Sequence, residues 1–169
     1  MDEQDILKSL AGFEEVWKRV TAAGPTAEEK APKPAAAGPP SEEETLKRLI
    51  EDETCGAAYY NSVSRMFQGK ARTMLLSHAA DGKRHARRLQ AEYFIRTGES
   101  YAPSGVCEPV SDRMSSLRTA LRREQAGAAA YQSAAERTTA PELREVYLHS
   151  AADEQRHARE DRELILDNF

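Results

Sequence analysis

The chain has 169 residues, 24 Lys and Arg against 28 Asp and Glu, and a net charge of −4; of its 67 hydrophobic residues 27 are Ala, while Leu, Ile, Val and Phe together also number 27. So few large aliphatics would mark a disordered chain if the net charge were high, but here it is small, so the sequence predicts a fold around a core short of bulky side chains. The acidic balance argues against nucleic acid as a partner, no apolar run approaches the roughly 18 residues of a membrane helix, and two cysteines are too few for a four-cysteine metal site.

Abundant Ala and few β-branched residues predict an all-α protein. The acidic start Met1-Asp2-Glu3-Gln4-Asp5 is unlike a secretion signal, which gives the expectation of a soluble, cytoplasmic chain with Cys55 and Cys107 as reduced thiols. Residues 1–22 read as an amphipathic helix, because Ile6, Leu10, Phe13, Trp17 and Val20 recur on one stripe. Such a stripe docks on something: this chain's own bundle, a second copy in a homodimer, or another protein. Residues 23–41 form a Pro/Ala-rich linker, with five of the eight prolines and no apolar period.

Residues 42–169 read as a bundle of four long helices. Ser41-Glu42-Glu43-Glu44 is a capping box that opens the first, which is expected to stop at Gly69. The second is expected from about Lys70 to Thr97 before Gly98, and the third from Ser111 or Asp112 to near Thr138. A second capping box, Thr139-Ala140-Pro141-Glu142, is expected to open the fourth. The first and third connections are short, so each helix pair forms an antiparallel hairpin, whereas the thirteen residues from Gly98 to Val110 reach about 43 Å when extended, enough to cross the bundle.

The two hairpins look like a duplication. Ala79-Ala80-Asp81-Gly82-Lys83-Arg84-His85-Ala86-Arg87 matches Ala151-Ala152-Asp153-Glu154-Gln155-Arg156-His157-Ala158-Arg159 at seven of nine positions, and Glu53 to Tyr60 resembles Glu124 to Tyr131.

Polar residues interrupt each core stripe: Glu53, Glu124, the pair His78 and His85, and the set Ser150, Glu154, His157 and Asp161. A buried carboxylate is costly unless its charge is compensated, and a metal ion does so well. Glu53 with His85, and Glu124 with His157, flank their hairpin turns almost evenly, about 24 Å from each tip. Two hairpins around a two-fold axis would therefore bring Glu53, His85, Glu124, Glu154 and His157 to one level. Oxygen and imidazole donors without thiolate suit iron or manganese, and zinc also fits.

A bundle in which two helices each supply a Glu and two supply Glu-x-x-His resembles the ferritin-like superfamily, and within it the rubrerythrin-type proteins. The resemblance covers about residues 42–169. It implies a ferritin-like four-helix bundle holding two irons, with ferrous-iron oxidation or peroxide reduction as its chemistry and carboxylates that shift with oxidation state. By position Glu53 and Glu124 are the terminal carboxylates, His85 and His157 the imidazoles, and Glu154 a bridge. The second bridge falls on Gly82, which has no side chain. The alternatives for Gly82 are a single-metal or weak dinuclear site, Asp81 swinging in as the missing carboxylate, or a decayed site. Rubrerythrins also carry a four-cysteine electron-transfer domain, which these 169 residues do not include, so the resemblance implies a separate electron donor.

The rival expectation is a metal-poor helical scaffold that recruits partners through its N-terminal helix; an iron-storage shell has no support in one chain. Beside the candidate ligands, His78 and His149 read as hydrogen-bonded core residues, Tyr60 and Tyr131 as packing, and Lys83, Arg84, Arg87 and Arg88 as a solvated face. Cys55, about 200° around the helix from Glu53, is expected to face away from the site.

Overall fold

A computed structural model describes residues 38–105 and 107–168; the expected N-terminal helix and the linker up to residue 37 lie outside the described residues. Four helices make up the described part: α1 (Glu42–Ser64), α2 (Gly69–Thr97), α3 (Arg113–Arg137) and α4 (Pro141–Asp167). None is long and apolar enough to cross a membrane.

Two of the four helix starts, those of α1 and α3, carry side-chain caps; those of α2 and α4 do not. At α1 the capping box forms as expected: Ser41 Oγ accepts from the Glu44 amide at 3.1 Å and Glu44 Oε2 accepts from the Ser41 amide at 2.8 Å. At α3, Asp112 Oδ1 accepts from the amides of Met114 and Ser115. The second capping box does not form. Pro141 takes the first position of α4 and leaves Ala140 at the cap, without a side-chain bond. Thr138 serves the turn instead, its hydroxyl donating to Glu42 Oε2 at 2.6 Å and its carbonyl accepting from Arg144. The first helix ends at Ser64 rather than Gly69; Gly69, at φ 56°, opens α2 after a short turn in which Phe67 enters the core. Gly98, at φ 75°, closes α2 in the left-handed conformation expected of a C-terminal glycine.

Two apolar clusters define the topology. One joins Leu46 and Leu49 of α1, Leu89 and Tyr93 of α2, Tyr131 and Ala134 of α3, and Leu143 and Tyr147 of α4. The other joins Tyr60 and Val63, Leu75, Leu117 and Leu164, from the opposite ends of the same helices. The two hairpin tips therefore lie at opposite ends of the bundle, α1 runs antiparallel to α3, and α2 antiparallel to α4. The crossover between α2 and α3 spans the length of the bundle, as its reach allows.

The crossover is fastened to α1. Glu51 accepts hydrogen bonds from the Tyr101 hydroxyl at 2.7 Å and from the amides of Ser104 and Gly105 at 2.9 Å. One helical turn on, Cys55 and Cys107 form a disulfide with Cα atoms 5.0 Å apart. This corrects the expectation of two reduced thiols: the face of α1 that turns Cys55 away from the core is the face over which the crossover passes.

Candidate metal centre

Between the two apolar clusters the core is polar. Glu53, His85, Glu124, Glu154 and His157, the five residues singled out by sequence, are all buried at this level. His85 Nδ1 lies 3.0 Å from Glu53 Oε1, and His157 Nδ1 lies 3.1 Å from Glu124 Oε2. Glu154 Oε1 stands between the two rings, 3.5 Å from His85 Nδ1 and 3.9 Å from His157 Nδ1. The donors form two triads, Glu53–His85–Glu154 and Glu124–Glu154–His157, each with its ligand atoms within 4.8 Å of one another. Glu154 belongs to both.

Opposite the Nδ1 atoms, each ring is held from the other hairpin. Asp153 of α4 accepts from His85 Nε2 at 3.1 Å, and Asp81 of α2 accepts from His157 Nε2 at 3.0 Å. Arg84 donates to Asp81 at 2.6 Å, and Arg156 donates to Asp81 and Asp153 at 2.9 and 3.0 Å. These four residues are repeat partners, and together they form a reciprocal clasp over the α2–α4 side. Asp81 therefore does not swing in as the missing carboxylate: its Oδ2 is committed to His157 Nε2, on the far edge of the ring. Arg84, exposed on a solvated face as expected, also lies 3.5 Å from Asp153.

Two tyrosines do more than pack. Tyr131 donates to Glu53 Oε1 at 2.5 Å and Tyr60 donates to Asp161 Oδ2 at 2.5 Å. His78 is a buried core residue as expected, with Nε2 2.6 Å from Glu160 and its ring 4.1 Å from that of His157. His149 is not: it lies exposed on α4, because the buried stripe runs through Val146, Tyr147 and Ser150.

The electrostatics follow from this packing. Burial, reinforced by the neighbouring Glu124 and Glu53, pushes the Glu154 carboxyl well above the ordinary carboxylate range. Burial works against the charged form of His85, but the carboxylates of Glu154 and Glu53 overcome it and raise the imidazole to about 10. His157 is raised in the same way by Glu124, against its own burial. Asp161 is pushed up to about 7 by burial, although the Tyr60 hydrogen bond works the other way. Without a bound cation, protons held by His85 and by Glu154 offset part of the buried carboxylate charge.

Glycine shapes the site twice. A Cβ on Gly127 would stand 2.9 Å from Glu154 Oε2, so this glycine gives the shared carboxylate its room. A Cβ on Gly82 would stand 3.2 Å from Glu53 Oε2. A cavity of about 220 Å³ reaches the centre from the α1–α3 side, with Gly82, Glu53, Glu124, Glu154 and His157 at its inner wall and Arg48, Gly56, Arg123 and Gly127 along its course.

No family model and no curated protein matches the sequence. Solved structures do match in fold. The dodecameric thioferritin of Bacteroides fragilis, a bacterioferritin-related protein, is 15% identical with a TM-score of 0.65 over 75% of this chain and 84% of its own. A ferritin-like, diiron-carboxylate protein from Bacillus anthracis is 21% identical with a TM-score of 0.62 over 73% and 94%. CopM in its Cu(II)-bound form is 6% identical with a TM-score of 0.67 over 76% and 97%. The fold class is thus a ferritin-like four-helix bundle, two antiparallel hairpins joined by a long crossover. At these identities the likeness extends to the fold alone.

Proposed function

We propose that the protein binds metal in this centre, iron first, through Glu53, His85, Glu124, Glu154 and His157, and that two ions bind with Glu154 shared between them. The observation that carries the reading is the pair of donor triads meeting at one buried carboxylate. The donors are carboxylate and imidazole only, which suits iron or manganese and leaves zinc as a competitor. The donor set fits such ions: each triad offers one unshared Glu, one Nδ1 and Glu154, and each ring is held at Nε2 so that Nδ1 faces the carboxylates. Two neighbours are described as thioferritin and diiron-carboxylate protein, which supports iron over copper.

Bound iron supplies redox chemistry toward dioxygen or peroxide; the rubrerythrin-type activity expected from sequence is this chemistry. The protein's residues orient the donors, bury them, and release protons from His85, His157 and Glu154 as ions enter. The Cys55–Cys107 disulfide argues against the reducing cytoplasm that the sequence led one to expect.

Metal analysis after anaerobic loading with ferrous iron tests the proposal. About two equivalents are expected for the natural chain, falling below one in Glu154→Ala. Less than half an equivalent, unchanged by that substitution, would overturn it in favour of a metal-poor scaffold.

A further inference from the structure

The cavity that reaches the centre passes between α1 and α3, and one of its lining side chains lies across that gap. Arg123 extends from α3 to α1, where its Nη2 donates to the main-chain carbonyl of Asp52 at 3.1 Å and its guanidinium carbon stands 5.8 Å from the centre of the Tyr59 ring. Asp52, Gly56 and Tyr59 recur at spacings of 4 and 3, which places them on one stripe of α1. Gly56 leaves the seat open: a Cβ there would already touch Arg123 Nη2 at 3.7 Å, and a longer side chain would compete with the guanidinium for the same place.

This bridge lies at the depth of the centre. Asp52 precedes Glu53 and Arg123 precedes Glu124, so the bond between the two helices is one residue away from a candidate donor on each of them. The opposite side, between α2 and α4, carries the Asp81–Arg84–Asp153–Arg156 clasp, whose charged groups are bonded to one another and to the histidine rings.

The bridge is also of a kind that opens. Arg123 is half-buried and holds α1 through a carbonyl rather than a carboxylate, and side chains with access to solvent change rotamer within nanoseconds. Arg48 and Arg123 both act on the carboxyl of Asp52, so the mouth of the cavity carries two cationic side chains and one anionic. With the bridge closed, the guanidinium stands in the gap and sets a like charge before an arriving cation. A group that stands in the path without being a ligand raises the barrier to entry and to exit alike, and so changes both rates without changing the equilibrium.

We propose that Arg123 gates the centre: divalent cations enter and leave between α1 and α3, and the guanidinium swings off the Asp52 carbonyl to let them pass. The inference rests on the metal-binding reading and adds to it a route and the residue that controls it.

The test uses the full chain, freed of metal, and Co(II), whose visible spectrum reports binding without redox chemistry. Uptake is followed by stopped-flow absorbance, release by transfer of bound Co(II) to excess EDTA, and affinity by competition with a chromophoric chelator. Arg123→Ala, which leaves both apolar clusters untouched, is expected to speed uptake and release several-fold and by the same factor, so that affinity is unchanged. Arg122→Ala removes an equal charge from the neighbouring exposed position and leaves the bridge to Asp52 in place. Its rates are expected to match those of the natural chain. Unchanged rates in Arg123→Ala, an equal acceleration in Arg122→Ala, or faster release without faster uptake would each overturn the gate and leave the metal reading standing. Failure of the natural chain to bind Co(II) at all would overturn both.

Discussion

Asp81 Oδ2 accepts a hydrogen bond from His157 Nε2 at 3.0 Å across the seam between the two hairpins, and Asp153 returns the same bond to His85 at 3.1 Å. Each hairpin thus orients the other's imidazole, and the centre exists only when both hairpins are docked.

Removing one of these acceptors is expected to loosen a ring without unfolding the bundle. Asp81→Ala and Asp153→Ala are each predicted to weaken metal affinity by about 10–100-fold. Competition with a chromophoric chelator measures the affinity, and circular dichroism is expected to show unchanged helix content.

Gly127→Ala separates stability from binding. Replacing a mid-helix glycine by Ala favours the helix by roughly 0.5–1 kcal/mol. The new Cβ would stand 2.9 Å from Glu154 Oε2, which must shift. Metal affinity is therefore predicted to fall while the metal-free protein keeps or gains stability in urea denaturation.

Metal binding at pH 7 is predicted to release at least one proton, because His85 is held protonated up to about 10. Calorimetry in buffers of different ionisation enthalpy counts the protons. The sign for the metal-free protein is the reverse. Its His85 value lies above the ordinary 6.5, so that stabilisation is complete below pH 6.5 and is lost as pH rises through about 10. The metal-free melting temperature is therefore expected to fall between pH 7 and 10, while metal affinity rises.

The Cys55–Cys107 disulfide, with a sequence separation of 52, closes a loop that contains the second half of α1, the hairpin turn and all of α2. Loop entropy alone assigns such a link roughly 2–4 kcal/mol. Cys55→Ser/Cys107→Ser is predicted to lose up to that amount in chemical denaturation, with the bundle retained because Glu51 still fastens the crossover.

The helices themselves were legible because they follow from local rules. The Ser41 capping box and the Gly98 stop each depend on residues within a few positions, and each formed; of the two starts open for α3, Ser111 and Asp112, it is Asp112 that caps the helix. The box at Thr139 did not, because Pro141 moved the cap by one residue. Core stripes were equally readable from their period; His149 was misplaced because it lies just outside the stripe. From sequence Tyr131 is indistinguishable from packing, because a hydroxyl on an apolar stripe does not disclose its partner, and Glu53 lies 78 positions away in another hairpin. Asp81 and Asp153 stand at matching positions of the repeat, but matching positions do not disclose that each acid faces the imidazole of the other hairpin.

By itself the sequence determined that two similar hairpins form and that five carboxylate and imidazole residues fall at one depth, since helical rise and period are properties of the chain. Only the tertiary structure decided what lies between the hairpins: which edge of each imidazole faces inward, which acids are committed to arginine, where the crossover meets Cys55, and that the cavity reaching the centre opens between α1 and α3. These depend on which faces of helices remote in sequence come into contact, and pattern within one helix carries no record of the face opposite.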